Sequence, residues 1–329
     1  MIVRVSVLLP VYNCEAYLEQ TLASLSAQTF GDFEVIAVND GSSDGTRDIL
    51  EAHAKVDARF LPVHKSNGGI VSALNTALSV ASGEYSARID GDDIARSDRF
   101  AKQVAFLETN PDCVSVGSLY RMIDATGSVT GEQAPFGALR QTDLSVFPPH
   151  VATLPHPSIM SRTAALREIG GYRTMFPHAE DMDMYLRLAK LGRLELIQEP
   201  LLDYRVHTGS LSSKHIEAQT DSSLLAILSA ITVARGLPDP CQERTQVTRQ
   251  DFYNALNDCR LPEFFETFRR LRRIEGHFNR QERSEGTRLA VGLLGDLARR
   301  APTSLGDSRY RGLLKSNLRL LARRAVGRI

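Results

Sequence analysis

Asp90-Gly91-Asp92-Asp93 puts three carboxylates into four residues, directly after an apolar stretch. That much negative charge repels itself unless a cation sits among the oxygens. Hard carboxylate ligands suit Mg²⁺ or Mn²⁺, ions that normally share their coordination with substrate phosphates. Gly91 lets the backbone turn tightly or approach a ligand closely. An acidic turn capping a following helix would use the same residues. A second cluster, Asn39-Asp40-Gly41-Ser42-Ser43-Asp44-Gly45-Thr46, offers Asp40 as an acceptor for a nucleoside and Asp44 for an Asx turn and helix cap. A third, Glu180-Asp181, stands where a helix is expected to start. The helix dipole there favours a carboxylate anion, which would keep Asp181 ionised and ready to accept a proton. Simple N-capping is the alternative. His156 and His207 follow apolar segments and carry no meaning alone.

These clusters need elements that bring them together. Val3 to Leu9 reads as a strand, ended by Pro10. Asn13 is placed to cap a helix whose buried stripe is Leu18, Leu22 and Leu25. Phe33–Val38 is a second strand, Gly41 to Gly45 a turn, and a helix carrying Ile49 and Leu50 follows. Phe60 to Val63 is a third strand. Ile70, Ala73, Leu74, Ala77 and Leu78 trace a helical face, and Tyr85 to Ile89 forms another strand. Strand and helix alternating in this way predict βαβ units and a mainly parallel central sheet flanked by helices. Ligands of such sheets gather outside the carboxyl ends of the strands, where Tyr12-Asn13, Asn39-Asp40 and Asp90 to Asp93 stand.

Residues 120–160 are poorer in pattern, and Pro148, Pro149, Pro155 and Pro157 suggest loops or edge structure. From Asp181 a helix carries Met184, Leu188 and Leu191 on one face, and Leu194 to Ile197 reads as a closing strand. Beyond about residue 215 strand signals vanish, and stripes such as Leu224, Leu225, Leu228 and Ile231 predict helices. A boundary is expected there.

The apolar share of 43% and charged share of 24% are ordinary for a globular chain. With formal net charge zero, nothing global argues for nucleic acid. The four cysteines, Cys14, Cys113, Cys241 and Cys259, show no metal-ligand spacing and no disulfide framework. The apolar run from Ile2 to Leu9 is too short for a secretory segment or a membrane span. A cytoplasmic protein is expected. The glycine fingerprint of dinucleotide folds is missing after the first strand, where Pro10-Val11-Tyr12-Asn13 stands, which counts against NAD or FAD.

Taken together, the segments V-S-V-L-L-P-V-Y-N (Val5 to Asn13), V-N-D-G-S-S-D-G-T (Val38 to Thr46), N-G-G-I-V-S-A-L-N (Asn67 to Asn75) and G-E-Y-S-A-R-I-D-G-D-D (Gly83 to Asp93) resemble the family-2 inverting glycosyltransferases of the GT-A fold. H-P-S-I-M-S-R (His156 to Arg162), G-G-Y (Gly170 to Tyr172), E-D-M-D (Glu180 to Asp183) and Y-R-V-H (Tyr204 to His207) extend the likeness in the family's order. The resemblance covers about residues 3 to 213. It implies a GT-A catalytic domain over 1–215, with a nucleotide-binding half at 1–120 and an acceptor-binding half at 121–215. Residues 216–329 would form a helical extension.

The resemblance also implies roles. Pro10, Val11, Tyr12, Asn13 and Asp40 would cradle the nucleoside, with Asp40 reading the base imide N–H. Asn67, Gly68 and Arg88 would lie along the donor. Asp90 and Asp92 would be the DxD pair holding donor and metal across Gly91, with Asp93 a supporting or sugar-contacting carboxylate. Asp181 would be the general base with Glu180 beside it, His207 would complete the metal or diphosphate site, and His156 would line the acceptor side. The implied reaction moves a sugar from a nucleotide diphosphate, UDP first and dTDP second, to a hydroxyl of a glycan or lipid-linked acceptor. A single displacement inverts the anomeric centre, and Mn²⁺ or Mg²⁺ is the implied cofactor.

Two rivals use part of this pattern. A sugar nucleotidyltransferase would carry a glycine-rich loop with an arginine where Pro10 to Asn13 stand. A non-catalytic sugar-nucleotide sensor would have no use for Asp90, Asp92, Asp181 and His207 together. The C-terminal third matches no motif. Its arginines (Arg269, Arg270, Arg272, Arg273, Arg319, Arg323, Arg324, Arg328), with Leu313, Leu314, Leu318, Leu320 and Leu321 interleaved near the end, suit peripheral contact with anionic lipid at the inner face of a membrane. A solvated face or a dimer contact suits them equally, and the oligomeric state stays open.

Overall fold

The computed structural model describes residues 3–135, 137–145, 149–176, 178–207, 216–242, 247–256, 266 and 269–270. Ile2, Pro148 and Cys259, and the basic and leucine-rich positions from Arg272 onward, lie outside the described residues. The chain divides into two compact units, Met1–Gln141 with Ala152–Ser210, and Thr142–Val151 with Leu211–Ile329. The expected acceptor half, 121–215, is thus interrupted at 142–151.

The first unit is built on one mixed sheet. Strands β1 (Val5–Val11), β2 (Phe33–Asn39), β3 (Phe60–His64) and β4 (Tyr85–Arg88) pair in parallel in the order β3-β2-β1-β4. Helices α1 (Leu18–Ser26), α2 (Thr46–Val56) and α3 (Ile70–Val80) make the crossovers. All seven residues of β1 are buried, as expected of a strand covered on both faces. On α1, Leu18, Leu22 and Leu25 are fully buried in the same cluster as Val7 and Leu9. Each such side chain contributes about 1.5–3 kcal/mol, so Leu22→Ala should cost about 2–5 kcal/mol.

Beyond β4 the sheet changes character. Short β5 (Ile94–Ala95) leaves the acidic turn, α4 (Arg99–Thr109) follows, and β6 (Cys113–Ile123) runs through the sheet with β7 (Val129–Glu132) paired antiparallel to it. A 3₁₀ turn (His156–Ser158), β8 (Met160–Arg162), α5 (Thr163–Glu168), α6 (Glu180–Leu188) and β9 (Arg193–Arg205) complete the unit. The order continues β4-β8-β6-β9-β5, with β8 antiparallel to β4 and β6, β9 parallel to β6, and β5 antiparallel to β9.

Several local expectations need correction. β1 continues through Pro10 to Val11, pairing Pro10 with Val38. Ile89 N–H donates to the Leu8 carbonyl, and with a period of two Pro10 faces the same side, past the last β4 pairing at Leu8 and Arg88. Its missing N–H therefore leaves no ladder bond unmade. Asn13 caps no helix. It takes a positive φ of 51°, and its Oδ1 accepts from Ser43 N–H at 2.9 Å, tying the exit of β1 to the turn after β2. The N-cap of α1 is Tyr17, without a side-chain cap. Asp44 makes its Asx turn to Thr46 N–H, but Gly45 holds the cap position of α2. α6 ends at Leu188, and Leu191 beyond it is 38% exposed.

In the second unit α7 (Ile216–Ala234) buries Leu224, Leu228 and Ile231, while Leu225 is half-buried. α8 (Arg249–Leu256) packs against α7 and buries Phe252 and Leu256. None of the described helices is long and apolar enough to cross a membrane.

Candidate functional site: a carboxylate cluster at the carboxyl edge of the sheet

The strand order reverses between β1 and β4, the crevice where open α/β sheets take their ligands. The exits of these two strands touch. A Cβ on Gly91 would come within 2.9 Å of Val11 Cγ1 and 3.0 Å of Cys14 Sγ, so only glycine lets the acidic turn lie against the end of β1.

In that turn Asp90, Asp92 and Asp93 each offer an oxygen, and these atoms all lie within 4.8 Å of one another. Asp90 forms an ion pair with Arg88 at 2.5 Å. His207 Nε2 lies 3.0 Å from Asp92 Oδ2. Asp93 is fully buried; its Oδ1 accepts from Arg205 N–H at 2.9 Å and its Oδ2 has no partner among the described residues. Burial pushes the Asp90 carboxyl up to about 6, with Arg88 opposing and Asp92 adding to the rise. Burial, then the charges of Asp90 and Asp92, push Asp93 well above the usual carboxylate range. Crowded hard oxygens from Asp90, Asp92 and Asp93, one of them buried and without a partner among the described residues, fit a divalent cation.

A second group gathers around Arg88, itself buried. Its charge acts on Glu180, Asp181, His156 and Tyr172. Glu180 and Asp181 open α6, and Asp181 Oδ1 accepts from Met182 N–H at 2.7 Å. The helix dipole does not dominate here. Burial raises the Asp181 carboxyl above its usual range, against the pull of Met182 N–H and Arg88, and burial followed by the Asp181 charge brings Glu180 to about 7. A raised carboxylate is the stronger proton acceptor near neutrality, so this correction favours acid–base chemistry.

His156 is buried rather than lining an open wall. Its Nε2 lies 3.1 Å from the Tyr172 hydroxyl, its Nδ1 3.9 Å from Glu180 Oε1, and its ring meets Tyr185 edge-on. Burial, with Arg88 adding, pulls His156 well below the usual histidine range, so the ring is neutral.

The third group flanks β1. Tyr12 is 53% exposed. Asp40 is buried, and its carboxylate accepts from Lys65 Nζ at 2.6 Å, Gly68 N–H at 3.0 Å and Gly69 N–H at 2.7 Å. It therefore holds the start of α3. Gly41, at φ +77°, has Asn67 N only 2.7 Å from where a Cβ would stand, while Asn67 and Gly68 are exposed.

Residues that sequence reasoning left without a role are Lys65, Asn75, Arg99, Tyr172 and Arg205. Tyr172 and Arg205 lie inside the G-G-Y and Y-R-V-H segments, and Asn75 ends N-G-G-I-V-S-A-L-N, so position in a motif was the available signal. Arg99 had none; it is fully buried and its Nη2 donates to the Arg88 carbonyl at 2.7 Å.

A family model described as Glycosyl transferase family 2 matches residues 6–170. An uncharacterized glycosyltransferase of Haemophilus influenzae is 32% identical over 228 residues, covering 67% of this chain and 70% of the relative. A chondroitin synthase of Pasteurella multocida is 26% identical over 231 residues, 70% of this chain but 23% of the much longer relative. Among solved structures, S. aureus TarS 1-349 in complex with UDP-GlcNAc matches with a TM-score of 0.56 at 21% identity, over 77% of this chain and 70% of that one. That likeness shows the GT-A architecture: a mixed sheet flanked by helices.

Proposed function

This chain belongs to glycosyl transferase family 2 and is a glycosyltransferase enzyme, and from that premise we propose that it moves one sugar from a nucleotide-diphosphate donor to an acceptor hydroxyl by a single inverting displacement. The observation that carries the proposal is Arg88. It pairs with Asp90 of the acidic turn while its charge acts on Glu180 and Asp181, so donor-side and base-side carboxylates share one buried cation.

The donor nucleoside is read by Pro10, Val11, Tyr12, Asn13 and Asp40, with Asn67 and Gly68 along the diphosphate. Exposure of Tyr12, Asn67 and Gly68 supports this assignment. Asp40 supports it indirectly, by fixing the Gly68–Gly69 turn, and any contact with the base is made by the same buried carboxylate. Asp90, Asp92 and His207 hold a divalent cation, Mn²⁺ or Mg²⁺, with Asp93 and Gly91 shaping the turn. When bound, that ion neutralises charge developing on the leaving diphosphate.

Asp181 takes the proton of the acceptor hydroxyl as that oxygen attacks the anomeric carbon. Glu180, near neutral, keeps a second full negative charge away from Asp181. Positioned general-base help is typically worth ~10²–10⁴ in rate. His156, buried and bonded to the Tyr172 hydroxyl, backs the Glu180 side of the pair instead of contacting solvent-side acceptor. The TarS structures, in complex with UDP and with UDP-GlcNAc, favour a UDP-sugar. The chondroitin synthase relative favours a glycan acceptor, with a lipid-linked glycan as the alternative.

The test is a panel of UDP-, dTDP- and GDP-sugars with and without Mn²⁺, followed by NMR of the released or transferred sugar. Metal-dependent turnover with inversion at the anomeric carbon supports the proposal. Retention of configuration overturns the single displacement, and binding without turnover in the presence of acceptor glycans points to a sensor.

A further inference from the structure

We propose that Arg205 is a positioning residue for the cation-binding turn, setting the geometry of Asp92 and Asp93 without touching donor or ion. The inference rests on the reading of Asp90 to Asp93 as a cation site. Arg205 ends β9, two residues before His207, and only 1% of it is exposed. Its main-chain N–H donates to Asp93 Oδ1 at 2.9 Å, and its Nε donates to the Asp92 carbonyl at 2.7 Å. One residue therefore grips consecutive members of the acidic turn from two directions.

The rest of the guanidinium anchors that grip. Nη1 donates to the Asp124 and Ala125 carbonyls at 3.0 and 3.3 Å, and Nη2 to Gln20 Oε1 at 2.8 Å. The guanidinium carbon lies 4.7 Å from the centre of the Tyr17 ring, which in turn lies 5.0 Å from the His207 ring. Three segments of chain converge on this one side chain at the end of β9: the acidic turn, the start of α1 and the 124–125 turn.

Each side-chain partner of Arg205 is a neutral oxygen. The positive charge is thus not cancelled by an ion pair among the described residues and stands beside a cluster of carboxylates. A planar fork with donors on three nitrogens can hold three segments in one plane, which a lysine ammonium cannot reproduce. The expected consequence concerns ligand orientation. His207 and Asp92 face each other at 3.0 Å because the strand end just before one is bolted to the turn that carries the other.

The experiment measures Mn²⁺ alone binding to the full chain, counting free Mn²⁺ by electron paramagnetic resonance, for the wild type, Arg205→Lys, Tyr17→Leu and Asp92→Ala. Partners of this kind typically change metal affinity by about 10–100-fold, and Arg205→Lys should weaken Mn²⁺ binding by at least about tenfold. Arg205→Lys that is folded by near-UV circular dichroism and binds Mn²⁺ as the wild type does overturns the inference, even if its unfolding temperature falls. Should Arg205→Lys not fold, Tyr17→Leu decides. It removes the ring over the guanidinium and buries no new charge, so a weaker Mn²⁺ affinity supports the inference and an unchanged one overturns it. Asp92→Ala separates the two levels: if it binds Mn²⁺ as the wild type does, or if the wild type binds none, the cation-site reading itself fails and takes the inference with it.

Discussion

Asn75 and Tyr172 are joined by two hydrogen bonds: Tyr172 N–H donates to Asn75 Oδ1 at 2.9 Å, and Asn75 Nδ2 donates to the Tyr172 carbonyl at 2.8 Å. Asn75 sits on α3, whose start is held by Asp40, and Tyr172 reaches His156, which faces Glu180. Helix α3 and the Glu180-Asp181 pair are thus linked through side chains that touch in sequence.

Asn75→Ala should remove both bonds and leave two main-chain groups of Tyr172 unpaired. A cost of about 2–3 kcal/mol is expected, together with a larger fall in kcat than rise in KM. Gly171→Ala should act in the same way, because its Cβ would meet Asn75 Oδ1 at 2.6 Å and its φ is +68°. Chemical denaturation and steady-state kinetics of the two variants check both expectations.

Glu180 provides a prediction with a definite sign. Its carboxyl lies near 7 in the folded protein against an ordinary value near 4.5, so the folded state binds this proton more tightly than the unfolded chain. Its contribution to stability is fully present below pH 4.5 and is lost as pH rises through 7. Glu180→Gln should therefore be more stable than the wild type at pH 8 by up to about 3 kcal/mol, the advantage shrinking towards pH 4. Unfolding midpoints at both pH values check it; an advantage that grows on acidification contradicts it.

Asp40→Asn should separate holding from chemistry. The carboxylate satisfies Gly68 N–H, Gly69 N–H and Lys65 Nζ, and an amide cannot accept all of these while leaving Lys65 with a partner of opposite charge. A loss of about 1–3 kcal/mol in stability is expected. Donor KM should rise with a smaller change in kcat, read in the same kinetic assay.

The first half of the fold was legible because β1 and β4 are fully buried, β2 nearly so, and its helices show a clean stripe. Val5 to Leu9 is apolar but for Ser6, and Leu18, Leu22 and Leu25 mark one helix face. β6 was not legible, although it is central. Ser115, Gly117 and Ser118 interrupt its apolar residues, and their burial is made tolerable by partners far along the chain, such as Ser161 for Ser115 and Ser158 for Ser118. No local pattern announces a hydroxyl whose partner is 46 residues away. β9 was seen only as Leu194 to Ile197, because Glu199, Pro200 and Asp203 break its alternation before Arg205.

For the site, charge density made Asp90 to Asp93, Asp40 and Glu180-Asp181 visible. Environment was not visible. The dipole argument for Asp181 was outweighed by burial, and a histidine in a motif turned out to be a buried, neutral ring bonded to the Tyr172 hydroxyl. Arg205 and Asn75 act through main-chain groups of other segments, which a sequence does not display.

The most direct test of the account is a calorimetric titration of the best UDP-sugar with Mn²⁺ into the wild type, Asp92→Ala and Asp181→Asn, paired with a UDP-release assay. The account predicts that Asp181→Asn binds the donor as the wild type does but turns over ~10²–10⁴ more slowly. It predicts that Asp92→Ala loses the Mn²⁺-dependent part of donor binding. Wild-type turnover by Asp181→Asn, or donor binding that ignores both Mn²⁺ and Asp92→Ala, would contradict it.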